Sequence, residues 1–200
     1  MAGSRILVVE DDCLIATDLV CAIEEAGAYV IGPASSVASA QRLIKPAAEP
    51  SAAILDIRLD CELVFTIADT LLELGIPLIF YSAFECDLLP ERFEGIRFVS
   101  KSLSPSDAVR VLQMEMALER ADCRDLLADS EPEESVVRIT VALLEIARNL
   151  TGDQEAASIL VETALNQALE CSGMRPPDTA IFRWLLEMME DAWMSGRWLH

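Results

Sequence analysis

The segment Ile54-Leu55-Asp56-Ile57-Arg58-Leu59 contains an apolar run that ends abruptly on a carboxylate, Asp56. A charge is costly inside a buried strand, so we expect Asp56 at the end of a strand, facing solvent or a metal ion. A single Asp after an apolar run also fits a turn or a helix cap. The other apolar runs of the chain decide between a strand-end carboxylate and an ordinary turn or cap residue.

Three further apolar runs end in polar groups. Val8-Val9-Glu10-Asp11-Asp12 ends in acids, Ile79-Phe80-Tyr81-Ser82 in a hydroxyl and Phe98-Val99-Ser100-Lys101 in an amine. The carboxyl ends of parallel strands meet at one edge of a sheet, which is where α/β proteins place their sites. The sequence therefore predicts an active site at this edge.

The hydrophobic pattern predicts strands and helices in alternation. Predicted strands cover residues 5–9, 29–31, 51–56, 77–81 and 96–99, and helices cover 14–26, 35–45, 63–74, 84–92 and 105–121. Five strands alternating with helices predict a doubly wound α/β fold with a parallel sheet and right-handed crossovers.

The pattern changes after Arg120. An acidic stretch around residues 130–134 is followed by helical periodicity without strands, over residues 136–149, 154–170 and 178–194. We predict three segments: the α/β domain at 1–122, an acidic linker or helix extension at 123–134, and a small all-α output or interaction domain at 135–200.

Composition limits the classes of function. The 200 residues carry a net charge of −19, from 15 basic and 34 acidic residues, which opposes nucleic-acid binding and favours a basic protein partner. No apolar run reaches the roughly 18 residues of a membrane span. The chain enters its first strand without a signal peptide, so a cytoplasmic location is expected. The six cysteines form no Cys-x-x-Cys pair, and His200 is the only histidine.

The acids at the strand ends predict a metal site. Asp11, Asp12 and Asp56 are expected to converge, and a hard cation relieves their repulsion. Mg²⁺ takes oxygen ligands and keeps waters, so carboxylates plus the backbone carbonyl of Arg58 form a suitable set.

With a metal bound, a carboxylate can attack phosphorus and form an aspartyl phosphate. Lys101 and Ser82 are the groups predicted to stabilise the phosphoryl charge. Each has a plain structural alternative: Ser82 and Asp12 as helix caps, Lys101 as a solvated loop residue, Phe98 as a core aromatic. Because all of these residues lie at the ends of predicted strands, a shared phosphoryl-transfer site is favoured over four separate structural roles.

This constellation resembles the receiver domain of two-component response regulators over residues 5–120. The matching pieces are Glu10-Asp11-Asp12, Asp56, Ser82-Ala83, and Phe98 three residues before Lys101. The resemblance implies the strand order 2-1-3-4-5. It also implies that Asp56 is the phosphoacceptor and receives its phosphoryl group from a histidine kinase or phosphotransfer protein. It also implies that Asp11 and Asp12 hold Mg²⁺, that Ser82 and Lys101 bind the phosphoryl group, and that Phe98 is an aromatic switch. One departure is Ser102, where receivers usually have proline, and it leaves the shape of that loop open.

The carboxyl-terminal helices resemble region two of extracytoplasmic-function sigma factors over residues 135–195, notably in Ile146–Asp153 and Phe182–Leu185. Some stress regulators join a receiver to such a domain and bind an anti-sigma factor with it, so an anti-sigma factor is the implied partner. No basic promoter-contacting helix is evident. A dimerisation or packing module and an RNA-binding antiterminator tail are the alternatives.

The sequence is therefore compatible with two classes of function. The first is a signalling switch that is not an enzyme in its own right. The second is a metal-dependent phosphohydrolase that also forms an aspartyl phosphate. Such phosphatases have an acid two residues after the nucleophile, and here that residue is Arg58, which favours the switch.

Overall fold

The computed structural model describes residues 1, 3–44, 49–60, 62–83, 89–121, 135–171 and 181–199. The chain divides into two compact units, Met1–Glu115 and Met116–His200. The linker predicted over 123–134, and residues 84–88 of the helix predicted over 84–92, lie outside the described residues. Glu91–Phe93 form a short 3₁₀ helix.

The first unit contains a five-stranded parallel sheet. Its strands are β1 (Arg5–Val9), β2 (Tyr29–Ala34), β3 (Ala52–Leu55), β6 (Leu78–Ser82) and β7 (Arg97–Ser100), and a separate two-stranded hairpin is formed by β4 (Arg58–Leu59) and β5 (Glu62–Leu63). Its helices are α1 (Cys13–Glu25), α2 (Val37–Leu43) and α3 (Phe65–Glu73), and α4 (Pro105–Ala121) starts in this unit and continues past its last residue, Glu115. The order β2-β1-β3-β6-β7 confirms the predicted order 2-1-3-4-5 of the five sheet strands.

The central strands are buried on both faces, as expected of a parallel sheet covered by helices. In β1, the four residues from Ile6 to Val9 are at most 1% exposed. The ring of Phe80 on β6 packs edge to face against Phe93, with centroids 5.5 Å apart. Val9 at the end of β1 lies beside Leu55 at the end of β3, so the residues that follow these two strands emerge next to each other.

The β4–β5 hairpin was not predicted, because the sequence pattern assigned these residues to a loop and to the start of α3. Leu59 of the hairpin is 2% exposed and the flanking Ile57 and Val64 are fully covered, whereas Leu63 is 47% exposed. Asp60, at the tip, has a φ of 50°. The hairpin therefore places a compact, packed turn immediately after Asp56.

The second unit contains the helices α5 (Ser135–Thr151), α6 (Gln154–Glu170) and α7 (Ile181–Ser195), followed by the 3₁₀ turn Arg197–Leu199. Their buried faces are apolar and include Ile146, Leu160 and Met189. Asp153 caps α6 by accepting hydrogen bonds from the backbone amides of Glu155 and Ala156, both at 2.9 Å. Within the described part of the chain, no helix is long and apolar enough to cross a membrane.

Candidate functional site

Polar residues follow or end four parallel strands at one edge of the sheet. Glu10 follows β1, Asp56 follows β3, Ser82 ends β6 and Lys101 follows β7. The pairing of Val9 with Leu55 and of Ser82 with Ser100 aligns these strand ends. The structure brings Asp56, Ser82 and Lys101, which the sequence places at this edge, into direct contact.

Both carboxylate oxygens of Asp56 are engaged. The Ser82 hydroxyl donates to Oδ1 at 2.6 Å, and the Lys101 ammonium donates to Oδ2 at 2.6 Å. The backbone amide of Arg58 lies 3.4 Å from Oδ1. Asp56 is only 7% exposed, so a charge at this position depends on these donors.

Glu10 is the other acid that Lys101 contacts. The ammonium lies 2.8 Å from each Glu10 carboxylate oxygen and makes its hydrogen bond to Oε1. Oε2 is within ion-pair distance, but it is buried and accepts no hydrogen bond. Glu10 is 2% exposed.

In the cluster of Glu10, Asp56 and Lys101, burial and the neighbouring charges shift the pKa values in opposite directions. Burial raises the pKa of the Glu10 carboxyl above its usual value and outweighs the lowering from Lys101. For Lys101, burial alone lowers the pKa, but the hydrogen bonds and charges of Asp56 and Glu10 outweigh it, and the net direction is upward. Lys101 is therefore held as an ammonium between two carboxylates.

Glu10, Asp11 and Asp56 each offer a carboxylate oxygen, and these atoms lie within 4.8 Å of one another. Asp11 is fixed from another direction, because the backbone amide of Asp60 in the hairpin donates to its Oδ2 at 2.8 Å. Three carboxylates at this spacing suit a hard divalent cation with oxygen ligands.

Asp12 does not belong to this group of acids. Its carboxylate caps α1, accepting from the amides of Leu14 at 2.8 Å and Ile15 at 3.3 Å. The predicted acid set therefore changes in one member, and Glu10 takes the place of Asp12. The sequence signal was available, because Glu10 is the first residue after the apolar run of β1, whereas Asp12 directly precedes the helical pattern.

The metal-ligand role of Arg58 and the switch role of Phe98 remain predictions, as do the other predicted roles of the site residues. Arg58 starts β4 and pairs with Leu63 across the hairpin, but no contact tests its carbonyl as a metal ligand. Phe98 is half-buried on β7, next to Phe80, and packs against the main core cluster. Its role as a switch is untested. The Ser102 loop has its own hydrogen bonds, including that from the Ser102 amide to Ser100 Oγ at 3.2 Å.

No protein-family model matches the sequence, and no curated protein matches it. Solved structures do. The response regulator PhyR from Brucella abortus is 27% identical at a TM-score of 0.50, over 64% of this chain and 52% of that one. The first unit has the fold of a response-regulator receiver domain. We refer to it below as the receiver domain.

Two further matches agree with this fold for the receiver domain. The N-terminal domain of a response regulator/sensory box/GGDEF protein from Carboxydothermus hydrogenoformans has a TM-score of 0.52 at 20% identity, over 59% of this chain and 98% of that one. A response regulator receiver protein from Sinorhizobium medicae has a TM-score of 0.50 at 18% identity, over 58% and 97% of the two chains. At these identities the likeness concerns the fold of the receiver domain alone.

Proposed function

We propose that this protein is a response regulator of a phosphorelay and that Asp56 accepts a phosphoryl group from a histidine kinase or phosphotransfer protein. The observation that carries the proposal is the Asp56 carboxylate held between the Ser82 hydroxyl and the Lys101 ammonium, each at 2.6 Å. Both donors are placed where negative charge appears on a transferred phosphoryl group, and positioning with charge stabilisation is most of phosphoryl-transfer catalysis.

In the proposed transfer, an Asp56 oxygen forms a bond to phosphorus while the bond from phosphorus to the donor's imidazole nitrogen breaks. Lys101 and Ser82 then pass their hydrogen bonds from the carboxylate to phosphoryl oxygens. Mg²⁺ held by Glu10 and Asp11 together with Asp56 would supply further neutralisation of the phosphoryl charge. Each of these steps uses groups that already lie next to Asp56.

The test is incubation of the full chain with acetyl phosphate and Mg²⁺. We expect a phosphoprotein to accumulate, with one phosphate per chain lost on hydroxylamine treatment, and we expect a chelator to prevent it. Intact-mass spectrometry measures the product. Steady release of inorganic phosphate without accumulation of phosphoprotein would instead support the metal-dependent phosphohydrolase, and no incorporation in the presence of Mg²⁺ would contradict both.

We further propose that residues 135–200 form the output domain and act on a protein partner, for which an anti-sigma factor is the candidate implied by resemblance. Two observations support a protein partner. Residues 135–200 hold 9 acidic and 5 basic residues, a net of −4, which suits a basic protein surface and not a phosphate backbone. Val137 and Val141, one turn apart on α5, are 73% and 57% exposed, so this helix carries uncovered apolar surface.

The excess of acids gives a prediction for nucleic acid. At low salt, where basic contacts to phosphate are strongest, the full chain is expected to show no submicromolar binding to promoter DNA or structured RNA. Fluorescence anisotropy with labelled duplex and hairpin probes measures this. Tight binding that weakens steeply with added salt would overturn the protein-partner proposal in favour of the antiterminator alternative.

A further inference from the structure

Tyr81 is a buried polar residue that the proposed chemistry of Asp56 does not use. It is the residue before Ser82 on β6 and is 2% exposed. Successive side chains of a strand point to opposite faces, so Tyr81 leaves the sheet on the face opposite to Ser82. Its hydroxyl donates a hydrogen bond to the backbone carbonyl of Leu103 at 2.9 Å.

Leu103 lies in the loop of residues 101–104, which joins β7 to α4 and begins with Lys101. Strand β6 anchors this loop twice. The amide of Lys101 donates to the Ser82 carbonyl at 3.1 Å, and the Tyr81 hydroxyl holds the carbonyl of Leu103 two residues later. The anchors flank the backbone that carries the Lys101 side chain.

The loop has little apolar packing to hold it otherwise. Ser102, Leu103 and Ser104 are exposed, with Leu103 at 47%. Lysine has a flexible four-carbon stem, so the position of its ammonium depends on where its backbone is fixed. A hydrogen bond from a buried phenol is stronger than one in water, and it is well placed to fix this loop.

We propose that the Tyr81 hydroxyl is a positioning group for Lys101, holding the 101–104 loop so that the ammonium reaches Asp56 and, later, its phosphoryl group. The effect on phosphoryl transfer rests on the proposed function. The effect on the ion pair of Lys101 with Asp56 does not, because that pair exists in the unphosphorylated protein.

The test variant is Tyr81→Phe, which removes one oxygen and leaves the ring in the core. Tyr29→Phe is the matched control, since Tyr29 is the chain's other tyrosine and is 68% exposed. Because the chain has two lysines, NMR of ¹⁵N-lysine-labelled protein gives two side-chain signals, and Lys45→Arg assigns them. The rate at which the Lys101 ammonium exchanges protons with water reports how tightly it is held.

Loss of one buried hydrogen bond is expected to speed this exchange roughly 3- to 10-fold in Tyr81→Phe and to slow phosphorylation by acetyl phosphate by a similar factor. Tyr29→Phe is expected to match the unaltered protein in both. Ser102→Gly, an exposed change that adds backbone freedom and removes the hydrogen bond from the Ser102 hydroxyl to Ser100 Oγ, is expected to shift both rates in the same direction as Tyr81→Phe.

A lower melting temperature in Tyr81→Phe with both rates unchanged would show that Tyr81 serves stability alone and would overturn the proposal. Should Tyr81→Phe fail to fold, unchanged rates in Ser102→Gly would overturn it instead. If ammonium exchange rises as expected but the unaltered protein itself incorporates no phosphate, then the positioning role stands and the proposed function is wrong. The two measurements therefore distinguish the failure of one proposal from the failure of the other.

Discussion

Asp56→Asn is expected to abolish the incorporation of hydroxylamine-labile phosphate from acetyl phosphate. The amide keeps the size and planar shape of the carboxylate, but it has no anionic oxygen that can attack phosphorus. It also removes one of the three acids that would hold Mg²⁺. Labelling measured by intact mass should fall below detection at a Mg²⁺ concentration that saturates the unaltered protein.

Asp12→Asn is the matched control, because it makes the same chemical change two residues after Glu10. Asp12 caps α1 by accepting two backbone hydrogen bonds, and asparagine caps helices about as well as aspartate. Labelling should therefore proceed at close to the unaltered rate. Labelling of Asp56→Asn at that rate would place the nucleophile elsewhere, and loss of labelling in Asp12→Asn would return Asp12 to the metal group.

Lys101→Met should destabilise the fold by about 3 kcal/mol near neutral pH without divalent cations, because removing one partner of a buried ion pair leaves unpaired charge behind. Here the charge left behind is that of Glu10 and Asp56, which are 2% and 7% exposed. Urea unfolding followed by circular dichroism measures the loss. Lys45→Met, which removes the chain's other lysine, controls for the change in net charge.

The folding stability lost in Lys101→Met should become smaller as pH falls. Burial raises the folded-state pKa of Glu10 above the value of 4.5 for an exposed group, and losing Lys101 raises it further. Such a group favours the folded state while it is protonated, and that stability is lost as pH rises through the folded pKa. The deficit should therefore shrink as pH falls toward 4.5, and added Mg²⁺ should also reduce it. A deficit that is independent of both would mean that Lys101 contributes packing and not charge compensation.

The sequence predicted most of the receiver fold because its signals are local. The runs Ile6–Val9 and Leu78–Tyr81 contain no charged residue, and polar groups mark where the strands end. Asp56, Ser82 and Lys101 could be placed together because parallel strands end at a common edge. Their contacts at 2.6 Å depend on side-chain positions that the strand order alone does not give.

The errors concern residues whose environment is set from a distance. The apolar run of β1 shows that Glu10 follows a strand, but it does not show that Lys101, 91 residues later, contacts the Glu10 carboxylate at 2.8 Å. The hairpin after Asp56 has strands of two residues each, too short for a periodic pattern. The hydrogen bond from Tyr81 to Leu103 likewise joins residues that are 22 positions apart.

The contact between the hairpin and Asp11 sets which substitutions the hairpin tip can accept. The Asp60 group that holds Asp11 is its backbone amide, so the negative side chain at position 60 has no part in that bond. What the position does require is a left-handed backbone, since its φ is 50°. Asparagine and glycine adopt that conformation readily, whereas a β-branched residue such as valine does so only with strain. Variation at position 60 should therefore follow backbone conformation and be indifferent to charge, even though the residue lies beside a cluster of acids.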